Sequence, residues 1–473
     1  MEKEILGTFT ISNNEQVNGS LKKAGEFIKL TCWSKNNFSF DGITDAIYGL
    51  DQQLNTLSLL DCSGDVRPAV RNNTKFFTSE ISAHLLISGS KKVEPNDKFG
   101  FASIEVKNPK RLLTNADDLM ENIVNDYLQE GNSILDFVNL KTIFSADTNL
   151  GKVSLVCNSF IERTSSELSL NLQSKLFVLF DFQESTVIDD VLHRVKEICQ
   201  FLRFISGNEI YFENIVLKES EQSYEHVKVL SNNFVINENY NPLGLTRPLI
   251  DVEHPQFNEI MKSWFKDRER DKARYNFYYN FFQVQYNEAR MISSASVFDI
   301  LYGTRGKKTL DQVVEEKLKA VKKLVKEKFD TFEPIREELI RQISNVKRIA
   351  HKDRIEKRIT LIDSQDDEIA NVCKKIRDVL KYALSARNVF VHGTPSDIIT
   401  TEDAYEYQSL FTNIFEFVYI TSELVEAGWD MNSFAKNSWH HQIRQMQFNL
   451  ANEIDEFLSA ISTKKDSKQA HQS

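Results

Sequence analysis

The sequence is short of the residues that crosslink a chain or break regular structure. Among its 473 residues there are 5 cysteines, 8 prolines and 16 glycines. The cysteines are scattered and show no CxxC spacing, which argues against a disulfide framework or a zinc ribbon. The sequence therefore predicts buried free thiols in a reducing cytoplasm at Cys32, Cys62, Cys157, Cys199 and Cys373.

Long apolar runs and secretion signals are also missing. No apolar run reaches the roughly 20 residues that a membrane helix needs. The opening residues, MEKEILGTF, carry acids and lack an apolar segment, which is not the pattern of a secretory signal. Hydrophobic residues make up 41% and charged residues 27% of the chain, as in globular proteins. We therefore expect a soluble cytoplasmic protein without a membrane partner.

The acidic charge lies in one half of the chain. The net charge of -10 divides into -11 for residues 1–255 and +1 for residues 256–473, where 34 Lys and Arg face 33 Asp and Glu. An acidic surface repels phosphates, so the first half is a poor platform for RNA. The sequence thus favours a sensing or restraining role for the first half.

The pattern of secondary structure changes near residue 250. Before it, short β-branched and aromatic runs such as EILGTFTI and KFFTSEISAHLLIS alternate with turn clusters, which predicts a sandwich- or barrel-like sheet. Beyond it, the spacing predicts helices over 256–268, 271–302, 309–329, 333–350, 366–392, 401–427 and 432–461. We therefore expect an α+β protein with a mainly β region at 1–250, in one or two subdomains, an all-helical domain at 255–461 and a disordered tail at 462–473.

One predicted helix carries polar residues where its apolar pattern should continue. Ser364 is the expected cap of this helix. Its apolar stripe of Ile369, Val372, Ile376, Val379, Leu380 and Ala383 leads to Arg387, which falls on the same face. A guanidinium is costly to bury alone, so Arg387 either meets a fixed acid or lines a cleft that receives an anion. His392 follows just before Gly393, where the negative end of the helix dipole favours an imidazolium.

This segment resembles a known family of nucleases. RNVFVH matches the R-N-x-x-x-H motif of HEPN ribonucleases, and the stretch from KYALSARNVFVHGTP to Gly428 is similar to the ApeA-type HEPN domain of bacterial antiphage proteins. The helix YNEARMISSASVFDILYG resembles the first helix of that domain. LGTFTISNNEQVNGSLKKAGEFIKLTCW resembles the family's N-terminal domain. Together these segments cover both ends of the chain.

The resemblance implies an activity and a set of site residues. Arg387 and His392 occupy the catalytic positions, and Asn388 is the polar residue after the arginine. The family implies metal-independent cleavage of RNA, with host tRNA as the expected target, by attack of the 2′-hydroxyl to leave a 2′,3′-cyclic phosphate. It also implies a homodimer through the helical domain and a phage-derived trigger that the N-terminal region senses. Where relatives often carry a supporting glutamate, this chain offers Asp299.

Metals and cofactors have no recognisable place in the sequence. No cluster of His, Cys and Asp has the spacing of a ligand set, so we expect no metal and no cofactor. A different class of function stays open, since Arg387 and His392 are also compatible with a structural role. In that case the chain would be a non-catalytic HEPN module that binds RNA or protein.

Overall fold

The computed structural model divides into two compact units, residues 1–266 with 434–441 and residues 267–433 with 442–473. The structure describes residues 4–11, 15–24, 27–35, 40, 42–71, 74–106, 112, 138–149, 151–163, 170–207, 210, 212–230, 248–252, 254–266, 270–281, 285–302, 312–330, 332–345, 350–393, 396–432, 438 and 441–470. The α+β class predicted from the sequence is confirmed, with a β-rich first half and a helical second half.

The first unit begins with six antiparallel strands. They are β1 (Ile5–Ile11), β2 (Glu15–Ala24), β3 (Phe27–Ser34), β4 (Ile43–Asp51), β5 (Thr56–Arg71) and β6 (Thr74–Gly89). Their order is β3-β2-β1-β4-β5-β6, and β3 pairs again with β6, so the sheet closes into a barrel. Closure satisfies the backbone groups that an open edge would leave unpaired.

The barrel interior is filled by apolar side chains. Phe9 is fully buried there, and a Cβ on the neighbouring Gly49 would lie 2.5 Å from its ring. Glycine at position 49 therefore makes room for the phenylalanine. Cys32 and Cys62 are buried in the same core, and burial raises the pKa of each thiol to about 12. All five cysteines are buried free thiols, as the sequence predicts.

The sheet continues beyond the end of β6 with six further strands. They are β7 (Lys98–Val106), β8 (Val138–Thr148), β9 (Gly151–Arg163), β10 (Leu170–Val187), β11 (Phe212–Lys218) and β12 (Val227–Val229). They follow β6 in the order β12-β11-β7-β10-β9-β8. β10 is one long strand, because LNLQ and KLFVLFDF keep one alternation of side chains along it.

Two helices belong to this first unit, α1 (Ile188–Ser206) and α2 (Pro255–Trp264). The ring of Phe201 on α1 packs 5.1 Å from that of Trp264 on α2. Because α2 packs here, the first continuous stretch of this unit runs as far as Lys266. The chain returns to this unit at His441, whose buried Nε2 lies 3.0 Å from the carbonyl oxygen of Phe204.

The second unit contains helices and no strand among its described residues. Its helices are α3 (Asp271–Phe281), α4 (Glu288–Tyr302), α5 (Gln312–Lys328), α6 (Glu333–Asn345), α7 (His351–Asp363), α8 (Asp367–His392), α9 (Thr401–Glu406), α10 (Gln408–Glu426) and α11 (Gln442–Ala470). Helix α10 is buried along most of its length and packs against α4, α7, α8 and α11. In the part of the chain that the structure describes, no helix is long and apolar enough to cross a membrane.

Two buried glutamates of α10 tie the helices together. Glu416 receives two hydrogen bonds from Arg290 on α4, both of 2.8 Å. Glu423 receives bonds from Arg274 on α3 at 3.0 Å and from Arg358 on α7 at 2.6 Å. Both carboxylates are fully buried, so each depends on its arginines for charge compensation.

Several helix boundaries differ from those predicted. The helix expected over 271–302 is interrupted, and α4 starts after Asn287, whose side chain accepts a 2.8 Å hydrogen bond from the backbone nitrogen of Arg290. The helix expected over 333–350 is described as far as Asn345, and Ala350 has an extended backbone; α7 follows, which the sequence pattern does not predict. The tail predicted as disordered from residue 462 is helical as far as Ala470.

Candidate functional site

The helix that carries the RNVFVH motif, α8, has a defined start and a defined end. Its cap is Asp366, which accepts a 2.7 Å hydrogen bond from the backbone nitrogen of Glu368, and not Ser364 as the sequence predicts. The apolar stripe is buried as predicted: Ile369, Val372, Ile376, Val379, Leu380 and Ala383. Gly393 ends the helix with φ of 64°, and its N–H donates to the carbonyl of Val389 at 2.7 Å.

A neighbouring helix holds the last turn of α8 in place. The ring of Phe390 lies 5.0 Å from that of Tyr405 on α9, in an edge-on arrangement. The hydroxyl of Tyr405 in turn donates to a carboxylate oxygen of Glu288, the first residue of α4. Helix α9, itself bonded to α4, therefore holds the segment of α8 that carries the motif side chains.

Arg387 is half-buried, and its guanidinium is only partly hydrogen-bonded. Its Nη1 donates to the side-chain oxygen of Asn388 at 3.2 Å. Its Nε is enclosed and has no hydrogen-bond partner within the described residues. No carboxylate among those residues lies within salt-bridge distance of Arg387. An enclosed donor that makes no hydrogen bond costs about 1–3 kcal/mol. Of the two partners expected for Arg387, a fixed acid or an anion, the structure therefore does not show a directly bonded acid among the described residues.

His392 is the last residue of α8 and is exposed. On ideal helix geometry it stands about 7.5 Å further along the axis than Arg387 and points about 140° away from it. The structure brings Arg387 and Asn388 into contact, whereas His392 lies apart from them at the open end of the helix. Its imidazole is thus accessible to a large substrate.

Asp299, on α4, is the centre of a charged cluster beside Arg387. Its Oδ1 accepts hydrogen bonds from Nδ1 of His351 at 2.8 Å and from Nη1 of Arg354 at 2.9 Å. Burial tends to raise the pKa of Asp299. The bond from His351 and the charges of His351, Arg354 and Arg387 more than offset burial, so this pKa is lowered. The carboxylate is therefore ionised near neutral pH.

His351 and Arg354 are the site residues that sequence reasoning missed. Both lie in the first turn of α7, whose start at Ala350 has no side-chain cap to announce it. The segment is dominated by charged residues, and its apolar positions Ile355, Ile359 and Ile362 give a weak helical signal. Those three residues are buried, at the spacing of a helix face, and could have revealed α7.

The fold and the motif together define a class: a β-barrel unit followed by a helical unit that carries an Arg-Asn-x-x-x-His helix end. The family model described as ApeA N-terminal domain 1 matches residues 4–264. The match spans more than half of the chain, which therefore belongs to the ApeA family. No curated protein and no solved structure matches the chain.

Proposed function

We propose that the protein is a metal-independent endoribonuclease of antiphage defence. The observation that carries the proposal is Arg387, a half-buried guanidinium that bonds Asn388 and keeps a further enclosed donor without a partner in the described residues. A purely structural arginine would be expected to bond a carboxylate directly, as Arg290 bonds Glu416 in the same unit. Membership of the ApeA family supports the proposal independently.

The proposed reaction is an internal transfer of the phosphate. The ribose 2′-oxygen attacks the adjacent phosphorus, the bond to the 5′-oxygen breaks, and a 2′,3′-cyclic phosphate and a 5′-hydroxyl result. One proton leaves the 2′-oxygen and one reaches the 5′-oxygen, so no metal or cofactor is required for balance. His392 transfers one of these protons, a task suited to an exposed imidazole.

Arg387 has the electrostatic role in this reaction. Negative charge accumulates on the phosphate oxygens in the transition state, and a guanidinium can donate two parallel hydrogen bonds to them. The enclosed Nε becomes available when the guanidinium turns toward the bound phosphate. Asn388, which accepts from Nη1, positions the guanidinium for that contact.

The proposal extends to the assembly and the target. Arg387 and His392 point in different directions on one helix, so two copies related by a two-fold axis would present a fuller set of groups to one RNA. We therefore propose a homodimer through the helical unit. By family analogy the target is host tRNA, and the barrel-containing unit, which lies in the acidic half of the chain, senses a phage-derived trigger.

The test is cleavage of bulk RNA by the full-length protein in the presence of EDTA. Wild type is expected to release cyclic-phosphate ends, while Arg387→Ala and His392→Ala should each lose about 10²–10⁴-fold in rate and keep the same melting temperature. Arg341→Ala, which removes an exposed arginine from α6, is the matched control. Light scattering on the same samples is expected to give a dimer.

Two outcomes would contradict the nuclease. Full activity in both variants would exclude the assigned roles, and activity that requires Mg²⁺ or Mn²⁺ would exclude the mechanism. A wild-type protein that binds RNA without cutting it, in the presence of its trigger, would favour the non-catalytic HEPN module.

A further inference from the structure

The cluster beside Arg387 holds more hydrogen-bond donors than the described protein atoms satisfy. Three of its nitrogens are enclosed and have no partner within the described residues: Nε2 of His351, Nε of Arg354 and Nε of Arg387. They come from two helices, α7 and α8. Asp299 on α4 accepts from the first two side chains through Oδ1, and its backbone carbonyl also accepts from Nη1 of Arg354 at 3.3 Å. Three incomplete donors in one region are unusual in a folded protein.

The charge of the cluster is also incomplete. Asp299 contributes one negative charge, whereas Arg354 and Arg387 contribute two positive charges before His351 is counted. The Arg354 side chain is only 12% exposed and that of His351 only 21% exposed, so water compensates them poorly. Asp299 is more open, at 41% exposed. A surplus of partly buried positive charge attracts an anion, and the open side of the cluster lies at Asp299.

We propose that Arg354 and His351 form, beside Arg387, a second phosphate-binding subsite that holds an RNA phosphate next to the one being cut. The proposal rests on the proposed ribonuclease function for the identity of the ligand. Asp299 acts as an internal counter-ion: it holds His351 and Arg354 in place in the free protein and competes with the incoming phosphate for them. A phosphate offers several acceptor oxygens, enough for Nε2 of His351 and Nε of Arg354, while Arg387 remains with the phosphate being cut.

The position of α7 explains why this subsite would serve a flanking phosphate. His351 and Arg354 stand at the first turn of their helix, where the free N–H groups and the dipole favour an anion. His351 is bonded through Nδ1 to Asp299, so Nε2 is the nitrogen left for the ligand. Arg387 is the first residue of RNVFVH and its charge acts on Asp299, so the phosphate being cut and the flanking phosphate would follow one another along one RNA strand.

The experiment measures binding of a short 2′-O-methylated single-stranded RNA to the full-length protein. Such an RNA lacks the attacking hydroxyl, so binding is separated from cleavage. Arg354→Ala is expected to weaken binding about tenfold. It should also reduce the slope of log affinity against log salt by about 0.7, the value for one phosphate contact on a single strand. Arg341→Ala on α6 removes an equal charge from an exposed surface and should change the affinity much less.

Asp299→Asn supplies a result of opposite sign. Removing the competing carboxylate should tighten binding of the 2′-O-methylated RNA, while cleavage of ordinary RNA should slow because the cluster is no longer aligned. If the cluster were merely structural, both Asp299→Asn and Arg354→Ala would weaken binding. Should Arg354→Ala not fold, the direction of the Asp299→Asn effect decides alone: weaker or unchanged binding overturns the subsite.

The two proposals can fail separately. Binding that depends on Arg354 together with no cleavage of ordinary RNA would overturn the nuclease and leave the subsite standing. Cleavage that depends on Arg387 and His392, with equal binding by wild type, Arg354→Ala and Arg341→Ala, would overturn the subsite alone.

Discussion

Replacing Gly393 by alanine would perturb the end of the motif helix without touching a neighbouring side chain. Gly393 has φ of 64°, and a Cβ built there would meet no atom within 4 Å. The cost of the substitution is therefore confined to the backbone, since an L-residue in the left-handed region loses about 1–2 kcal/mol. The helical unit should melt about 2–4 °C lower for each kcal/mol lost, the range expected for a domain of its size.

The same number bounds the effect on RNA cleavage. The strain loosens the last turn of α8, which holds His392, and 1–2 kcal/mol corresponds to a factor of about 5–30 in a population. Gly393→Ala should therefore reduce cleavage by no more than that factor, far less than the loss expected for His392→Ala. Gly393→Asn is the matched control, because asparagine enters the left-handed region more readily than alanine.

Calorimetry and initial cleavage rates on the three proteins would test this reasoning. An unchanged melting temperature for Gly393→Ala would refute the left-handed cap. A rate as low as that of His392→Ala would mean that the backbone at Gly393 touches the RNA directly, and the argument from helix fraying would be wrong.

Two further perturbations concern buried charges, one within each unit. Glu423→Gln leaves buried guanidiniums uncompensated, so it should lower the free energy of unfolding by about 3–5 kcal/mol in a denaturant titration. The control is Glu338→Gln, in the exposed pair with Arg341, which should change the free energy of unfolding little. Burial lowers the pKa of His441 to about 4, so the unfolded chain binds more protons than the folded chain between about pH 6.5 and 4. The free energy of unfolding should then fall as the pH drops through this range. For His441→Gln, this fall should be about 3 kcal/mol smaller than for wild type.

The sequence predicts the strands well where apolar and polar residues alternate, and poorly where pairing is remote. The runs FIKLTCW and KFFTSEISAHLLIS are readily identified as strands, yet nothing in either predicts that Ile28 pairs with Ala83 to close the barrel. That pairing joins segments some fifty residues apart, and local propensity carries no information about it. The sequence therefore yields the class of fold but leaves sandwich and barrel as alternatives.

The candidate site shows the same division between local and remote information. Arg387 is conspicuous because it interrupts an apolar stripe, a feature visible within one helix. Its neighbour Asp299 was suggested by the family pattern alone, and His351 entered through a helix that the sequence analysis does not predict. Which acid and which cations surround Arg387 depends on how α4, α7 and α8 pack, and this cannot be derived from spacing along the chain.

Helix α7 itself provides the strongest contrast between a structural and a functional arginine. Arg354 and Arg358 are four residues apart and so lie along one edge of the helix. Arg358 is fully satisfied: it bonds Ser422, Glu423 and Glu426, all on α10. Arg354 shares a single carboxylate with His351 and keeps an enclosed Nε unbonded within the described residues. Arg358 is thus completely hydrogen-bonded, whereas Arg354, one turn away, is not. This is the difference expected between a residue that holds helices together and one that binds a ligand.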